Sequence, residues 1–189
     1  MTFRIASRGG QHPHLPVQLL EGSHTSMDLE RILSPGMDAE DSDMWDPGQE
    51  RVGGYFLPPF QRGPRWTQEQ KERFVESALL GVGLGTIVVV DAINCPMQSD
   101  DRFAATDRWL LDGRQRCSAL RDYGAGLVTV FRGTECEHRW DDLNTVERRR
   151  FNRLQIGVMK IQTDDVAYCR EIYNRLNYGG TPHEEDERA

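Results

Sequence analysis

The sequence has few lysines, no closely paired cysteines and no long apolar runs, and each absence excludes a class of protein. None of its 4 cysteines lies in a C-x-x-C pair, so neither a zinc site nor a disulfide framework is predicted. No apolar run approaches the roughly 20 residues of a membrane span, and no apolar signal-peptide core follows the first residues. We therefore expect a cytoplasmic protein without a membrane partner. The common phosphate-binding patterns G-x-x-x-x-G-K-[ST] and G-x-G-x-x-G are missing as well.

The acidic charge of the chain is concentrated in two segments. Residues 38–50 carry only acidic charges, and the tail at 184–189 is also net negative. Together they exceed the net charge of -7, so the rest of the chain is mildly basic. Its basic residues are arginines except for Lys71 and Lys160. Guanidinium groups match phosphate geometry well, although a GC-rich genome would give the same bias. The acidic loop 38–50 is either a solvated linker or a mimic of phosphate charge that covers the basic body.

The spacing of apolar residues predicts a domain of mixed helices and strands. Residues 1–25 are rich in glycine, histidine, proline and serine and are interpreted as a flexible N-terminal segment. Residues 26–183 are expected to form one compact α/β (α+β) domain, a small mixed sheet flanked by helices, before the acidic tail. Helices are predicted at 26–33, 67–80, 113–123, 144–153 and 165–176, and strands at 86–91, 108–111, 127–131 and 156–161.

The stretch 109–120 has the pattern of a strand, a tight turn and a helix N-terminus. An apolar run ends in an Asp-Gly pair, and a helical pattern follows. Gly113 supplies a backbone that turns sharply without a Cβ clash. Asp112 is predicted to be the N-cap, with Gln115 completing a capping box three residues later.

This turn has the features of a phosphate-binding site. The first N–H groups of a helix point at whatever lies beyond the strand end, and the helix dipole favours an anion there. Arg114 and Arg116 add donors that suit phosphate, and Asp112 could hold a metal ion or a water. The alternative is a capped helix whose arginines pair with nearby acids, because strand–turn–helix units are common.

A second basic feature is an arginine run in the predicted helix at 144–153. Such a run is either a nucleic-acid patch or a solvated helix face. DNA, if it is a partner, is expected to contact this run. Its members are Arg148, Arg149, Arg150 and Arg153.

Three motifs occur in an order that is found in a known family. Residues 58–66 are P-P-F-Q-R-G-P-R-W, residues 112–116 are D-G-R-Q-R, and residues 175–182 are R-L-N-Y-G-G-T-P. The chain resembles the N-terminal domain of GmrSD-type restriction proteins, a family of the ParB/sulfiredoxin-like superfamily. That family shows an extended P-x-x-Q-R-x-x-x-W segment, then D-G-Q-Q-R, then R-L-N-x-G-G-T-P. The resemblance covers about residues 26–183.

The resemblance implies a nucleotide site that is linked to DNA restriction. In the family, the D-G-Q-Q-R motif is tied to nucleotide binding and hydrolysis, which license cleavage, usually by a nuclease domain further along the chain. By position, the catalytic residues implied here are Asp112, Gln115 and Arg116, with Asp112 as the metal ligand. The implied nucleotide-binding residues are Gln61, Arg62, Gly113, Arg114, Asn177 and Thr181.

Two features of the sequence depart from the family pattern. Arg114 stands where the family usually has glutamine, which keeps a donor but adds charge. No nuclease segment follows the third motif, at 175–182, in the sequence given, so we expect any DNA cleavage to need a separate nuclease or other protein subunit.

These observations predict a Mg²⁺-dependent nucleoside triphosphatase. Arg62 and Arg116 would neutralise phosphate charge, Asp112 would position Mg²⁺ or the attacking water, and Gln61 and Gln115 would orient that water. One alternative is a phosphotransferase (kinase) on the same site. Another is a non-catalytic DNA-binding or regulatory module that acts with a separate nuclease, and a structural subunit is a third.

Overall fold

The computed structural model describes residues 22–33, 50–92 and 106–178. The helices and strands within these ranges form one four-stranded sheet, one two-stranded hairpin and the helices around them. In chain order they are β1 (Gly22–Asp28), α1 (Glu30–Leu33), β2 (Arg51–Val52), β3 (Tyr55–Phe56), α2 (Gln68–Leu79), β4 (Thr86–Val90), β5 (Leu110–Asp112), α3 (Arg114–Gly124), α4 (Thr145–Asn152), β6 (Gln155–Ile161) and α5 (Val166–Tyr178).

The larger sheet has mixed strand directions and the order β1-β6-β4-β5. β6 runs antiparallel to β1 and parallel to β4, and β5 runs antiparallel to β4. The chain therefore returns to the sheet centre with its last strand. β2 and β3 form the separate hairpin. The predicted class, an α/β domain with a small mixed sheet flanked by helices, is confirmed.

Helices cover both faces of the sheet, which explains why β4 is an almost continuous apolar run. Ile87 and Val89 pack into one core with residues of α2 and α3. Val88 and Val90 point to the opposite face, where they pack with Cys169 and other residues of α5. Alternate side chains of one strand thus hold two helical layers in place.

Helix starts that depend on local side-chain capping agree with the sequence prediction. Thr67 caps α2 and Asn144 caps α4, each in a complete capping box. At the start of α5, the Asp165 carboxylate accepts hydrogen bonds from the backbone N–H groups of Ala167 and Tyr168. This start agrees with the helix predicted at 165–176.

Two elements were predicted wrongly. The helix at 26–33 is instead the end of β1 followed by the single turn α1, because β1 pairs with β6 along its whole length. The strand at 127–131 is irregular: only Val130 makes a β-bridge, to His138. Val128 and Val130 are buried in the core, so burial without strand pairing explains their apolar character.

Some sequence predictions fall outside the described residues. These are the acidic loop except for Glu50, most of the N-terminal segment, residues 179–182 of the third motif and the tail at 184–189. The flexible N-terminal segment was predicted to extend to residue 25, but β1 begins at Gly22, so its last four residues belong to a strand. Within the described part of the chain, no helix combines the length and the apolarity needed to span a bilayer.

A partly buried salt bridge between Lys71 and Asp122 joins α2 to α3. Lys71 Nζ donates to Asp122 Oδ2 at 2.6 Å, and Arg121 donates to the other carboxylate oxygen. Burial alone would raise the pKa of Asp122, but the hydrogen bonds from Lys71 and Arg121 outweigh it and hold that pKa below its ordinary value.

We expect Asp122→Asn to lower the free energy of unfolding at pH 7 by about 2 kcal/mol, because a charge-assisted hydrogen bond is lost. The folded-state pKa is depressed, so this contribution is complete above about pH 4, the unfolded value. It is lost as the pH falls through the folded pKa. Urea unfolding at several pH values should therefore show a flatter acid slope in the variant.

The matched control is Glu69→Gln, which removes an exposed pair with Arg73 on the same helix α2. Both side chains of that pair are about 70% exposed, so the expected loss is below about 0.5 kcal/mol. Equal losses in the two variants would contradict the role given to Asp122.

Candidate functional site

A cavity of about 200 Å³ opens at the N-terminal end of α3. The end of β5 forms one side of this cavity, the extended segment 57–66 forms a second side, and α5 forms a third. The residues of the three sequence motifs that the structure describes therefore meet at one place. The cavity is lined by Gln61, Arg62, Trp66, Asp112, Gly113, Arg114, Gln115, Arg116, Tyr173 and Asn177.

The turn between β5 and α3 depends on Gly113. Its φ is 107°, a conformation that side chains other than glycine rarely adopt. A Cβ at this position would lie 2.4 Å from Cγ2 of Ile87, a fully buried residue of β4. Gly113 itself is the N-cap of α3, and no side chain caps the helix.

The predicted capping box of Asp112 and Gln115 is therefore wrong. The Asp112 carboxylate accepts a hydrogen bond from Arg116 Nη2 at 2.6 Å instead. Gln115 Oε1 accepts from the backbone N–H groups of Arg65 and Trp66, both at 3.2 Å. Asp112 thus pairs with a residue four positions along the chain, and Gln115 bonds to a distant segment, so neither side chain caps α3.

Arg116 is held at the edge of the cavity by two acceptors. Besides its salt bridge to Asp112, it donates from Nη1 to the Leu84 carbonyl at 3.3 Å. Its side chain is 19% exposed. Gly85 makes room for the guanidinium, since a Cβ there would lie 2.5 Å from Nη1. The pair leaves the second carboxylate oxygen of Asp112 without a protein donor among the described residues.

Arg114 lines the cavity but has a mainly structural set of contacts. Its guanidinium donates to Glu50 Oε1 and to the Arg62 carbonyl, each at 2.6 Å. The residue is buried, at 7% exposure. The sequence predicted a donor directed at phosphate, whereas the structure uses this donor to tie the segment 57–66 to α3.

The C-terminal half of α5 closes the third side. The Tyr173 hydroxyl accepts a hydrogen bond from the Arg62 backbone N–H at 3.1 Å. Asn177 donates its side-chain N–H to the Tyr173 carbonyl one helical turn earlier. Thr181, which the sequence placed in the same pocket, lies outside the described residues.

Gln61 lines the cavity and carries a buried polar atom with no partner among the described residues. Its side-chain Oε1 is buried and accepts no hydrogen bond from the described residues. Burying such an acceptor without a donor costs free energy. The atom therefore suits a bound water or a ligand donor.

The sequence did not single out three of the residues that shape this site. Trp66 and Tyr173 line the cavity, and Gly85 admits Arg116. Trp66 is the last residue of the first motif, so the motif could have indicated that Trp66 lies at the site. The roles of Tyr173 and Gly85 depend on contacts between distant segments and had no signal in the local sequence.

The cysteine of the same helix is unsuited to nucleophilic chemistry. Burial raises the pKa of Cys117 to about 12, although the adjacent Arg116 lowers it. The thiol is fully buried and stays protonated at neutral pH. Asp112 and the arginines therefore carry the polar chemistry of this end of α3.

The α4 arginines lie far from this cavity. Phe151 of α4 packs on Tyr123, which lies about 15 Å along α3 from Gly113 at 1.5 Å per residue. Arg148 stacks over Trp140 and bonds to the Asp141 carbonyl. The other three arginines of the run are exposed, namely Arg149, Arg150 and Arg153.

Comparison with known families gives one match. Residues 46–187 match the family described as GmrSD restriction endonuclease, N-terminal domain. This range holds more than half of the chain and every residue that lines the cavity, and it confirms the family resemblance that the three motifs predicted. No curated protein and no solved structure matches the chain.

Proposed function

The chain belongs to the family of GmrSD restriction endonuclease N-terminal domains, and from this premise we propose that it binds and hydrolyses a nucleoside triphosphate in the service of DNA restriction. The observation that carries the proposal is the uncapped N-terminus of α3 beside Arg116 and Asp112. Backbone N–H groups and the positive end of the helix dipole favour phosphate there.

Three polar residues at the cavity have stated roles in this proposal. Arg116 lies one turn into the helix and would contact the phosphate chain, where it would offset charge that develops during phosphoryl transfer. Arg62, which is exposed at the cavity rim, would add a second positive charge. Gln61 would accept a hydrogen bond from the attacking water or from the nucleotide.

Mg²⁺ would be held by Asp112 together with the phosphate oxygens. No group of three or more metal-ligating side chains occurs among the described residues. Magnesium commonly binds through one or two carboxylates, substrate phosphates and water, so a single carboxylate fits the proposal. The ion would supply charge neutralisation at the transferred phosphoryl group.

The proposal also assigns Arg114 and the arginines of α4. Arg114 would position the segment 57–66, and not contact phosphate, because its side chain is only 8% exposed, against 19% for Arg116, and both of its acceptors lie at 2.6 Å. DNA would contact Arg149, Arg150 and Arg153, the exposed members of the run. Any cleavage would be performed by a nuclease domain or subunit.

The test is phosphate release from each of the four nucleoside triphosphates, with Mg²⁺ or with EDTA, by the wild type and by Asp112→Asn. The substitution keeps the size of the side chain but removes the charge that would hold Mg²⁺. We expect release that requires both Mg²⁺ and Asp112. Thermal unfolding with each nucleotide, followed in parallel, reports binding separately from turnover.

Three other outcomes decide between the alternatives. Transfer of the phosphoryl group to a hydroxyl compound, detected by product analysis, would favour the phosphotransferase. Nucleotide-dependent stabilisation without any release would contradict hydrolysis but keep the binding site. Neither release nor stabilisation, together with DNA binding that weakens steeply with salt, would favour the non-catalytic DNA-binding module.

A further inference from the structure

A second cavity, of about 320 Å³, lies on another part of the molecule. It lies between the β2–β3 turn and the C-terminal ends of the parallel strands β4 and β6. Asp112 ends β5, which runs antiparallel to β4, so the two cavities lie toward opposite ends of the sheet. In open α/β sheets, the crevice beyond the carboxyl ends of parallel strands is the usual place for a ligand.

Positively charged side chains converge on this second cavity from three separate elements. Arg31 comes from α1, Lys160 from the end of β6, and Arg108 from the segment before β5. Two carboxylates, Asp91 and Asp107, line it as well, so its lining is net positive. Lys160 Nζ donates to Asp91 at 3.2 Å, and Arg108 lies 3.9 Å from Asp107. Arg31 has no ion-pair partner among the described residues.

The floor of the cavity is apolar. Met27, Val89 and Val158 are buried residues of three neighbouring strands and present their side chains here. Tyr55 adds a ring, with its hydroxyl directed to the Met27 sulfur at 3.3 Å. An apolar floor with a few charged groups at the rim is the usual form of a small-molecule site, and this volume lies at the lower end of the range for such sites.

The backbone at Arg108 has an uncommon conformation for a residue with a side chain. Its φ is 57°, in the left-handed region. Two hydrogen bonds hold it there, from its N–H to the Val90 carbonyl and from the Phe56 N–H to its carbonyl. Glycine would adopt this conformation more easily. An arginine at such a position, at the edge of a cavity, indicates that its guanidinium takes part in binding.

We propose that this second cavity binds a small organic anion, with its apolar body on the floor formed by Met27, Tyr55, Val89 and Val158 and its anionic group facing Arg31, Arg108 and Lys160. The anionic group is a phosphate ester or a carboxylate, since guanidinium groups pair with either. The inference is independent of the nucleotide site at α3, with which this cavity shares no residue.

The test uses phenyl phosphate, benzoate and inorganic phosphate as probes in isothermal titration calorimetry. We expect the aromatic probe that carries the preferred anionic group to bind one site per chain. Inorganic phosphate should bind at least about tenfold more weakly than phenyl phosphate, because it leaves the apolar floor uncovered. Comparison of phenyl phosphate with benzoate identifies the anionic group.

Variants then locate the binding. Arg108→Asn removes the charge while keeping a residue that tolerates the left-handed region, and it should weaken binding by about tenfold or more. Arg31→Gln should also weaken binding, and Arg31 is not in the left-handed region, so its backbone is not strained by the substitution. Arg73→Gln removes the same charge from an exposed position on α2 and serves as the matched control, with no expected change.

The proposal is overturned if no aromatic anion binds at about 10 mM, or if both Arg108→Asn and Arg31→Gln bind it as the wild type does. Arg116→Ala distinguishes this site from the one at α3. Binding that survives Arg116→Ala but not Arg31→Gln supports the second site, whatever the result for nucleotide hydrolysis. Binding lost only in Arg116→Ala assigns the probe to the first site and contradicts the second.

Discussion

Replacing Gly113 with alanine is expected to lower the free energy of unfolding by about 3 kcal/mol or more. Forcing a side chain into the left-handed region costs about 1–2 kcal/mol. The new Cβ would also lie 2.4 Å from Cγ2 and 2.9 Å from Cβ of Ile87. Ile87 is fully buried, so it has little space into which to move, and overpacking of this kind adds about 1–3 kcal/mol.

A second glycine isolates the contribution of the contact. Gly81 has a φ of 78°, and no atom of the described part of the chain lies within 4 Å of an added Cβ. Gly81→Ala therefore carries the backbone cost without the clash and should lose about 1 kcal/mol. Urea unfolding of both variants gives the comparison. Losses of the same size would show that Ile87 yields easily and that the turn tolerates a side chain.

The second large effect is expected at Arg116. On the proposed mechanism, Arg116→Ala should reduce the rate of nucleoside triphosphate hydrolysis by about 10²–10³-fold, the usual loss when one charge-stabilising donor is removed. Nucleotide affinity should fall less, because the N–H groups of α3 remain. Steady-state kinetics that separate kcat from KM provide the measurement.

The control for Arg116 is Arg65→Ala. Arg65 is exposed near the same cavity, and its backbone N–H donates a hydrogen bond to Gln115. Because the substitution keeps this N–H, the Arg65→Ala variant should keep most of its activity. Similar losses in both variants would indicate a general electrostatic effect and would contradict the specific role of Arg116.

Gly85 allows the position of the Arg116 guanidinium to be tested without removing it. Among the residues that the structure describes, an added Cβ meets only Arg116, at 2.5 Å from Nη1. Because that atom ends a flexible side chain, Gly85→Ala should cost no more stability than Gly81→Ala, whose φ is similar. It should nevertheless slow hydrolysis, since the displaced guanidinium no longer bonds to Leu84.

The parts of the fold that the sequence predicted correctly are those encoded by neighbouring residues. The capping boxes at Thr67 and Asn144 join residues three apart, so they are visible in the chain itself. The Asp112 and Gln115 pair has the same spacing, yet both side chains bond elsewhere. A partner that reaches Gln115 from the segment 57–66 cannot be inferred from local spacing.

The two elements that were predicted wrongly also depend on contacts between distant segments, here between whole strands. The apolar spacing of Met27, Leu29 and Ile32 fits a helix, but hydrogen bonds from β6 turn the first part of this segment into a strand. In 127–131 the apolar residues pair with no strand along their length among the described residues. Distant pairing was present in the first case and missing in the second, and it decided the structure over local preference in both.

The candidate site was predictable as a set of motifs but not as a geometry. The sequence brought Gln61, Arg62, Asp112 and Asn177 together through family resemblance, and the structure places all four around one cavity. The sequence did not reveal that the Arg114 guanidinium would donate its hydrogen bonds to Glu50 and to the Arg62 carbonyl. An extra charge in a motif predicts a ligand contact only if no protein acceptor lies closer.

The sheet order has a consequence for the synthesis of the protein on the ribosome. β6 lies between β1 and β4 and pairs with both, so neither strand has its central partner until residues 155–161 have been translated. A high share of such distant pairings slows folding, and unpaired strand edges favour association between nascent chains. Translation that pauses before β6 would therefore expose two aggregation-prone edges at once, whereas α2 and α3 could already pack against each other.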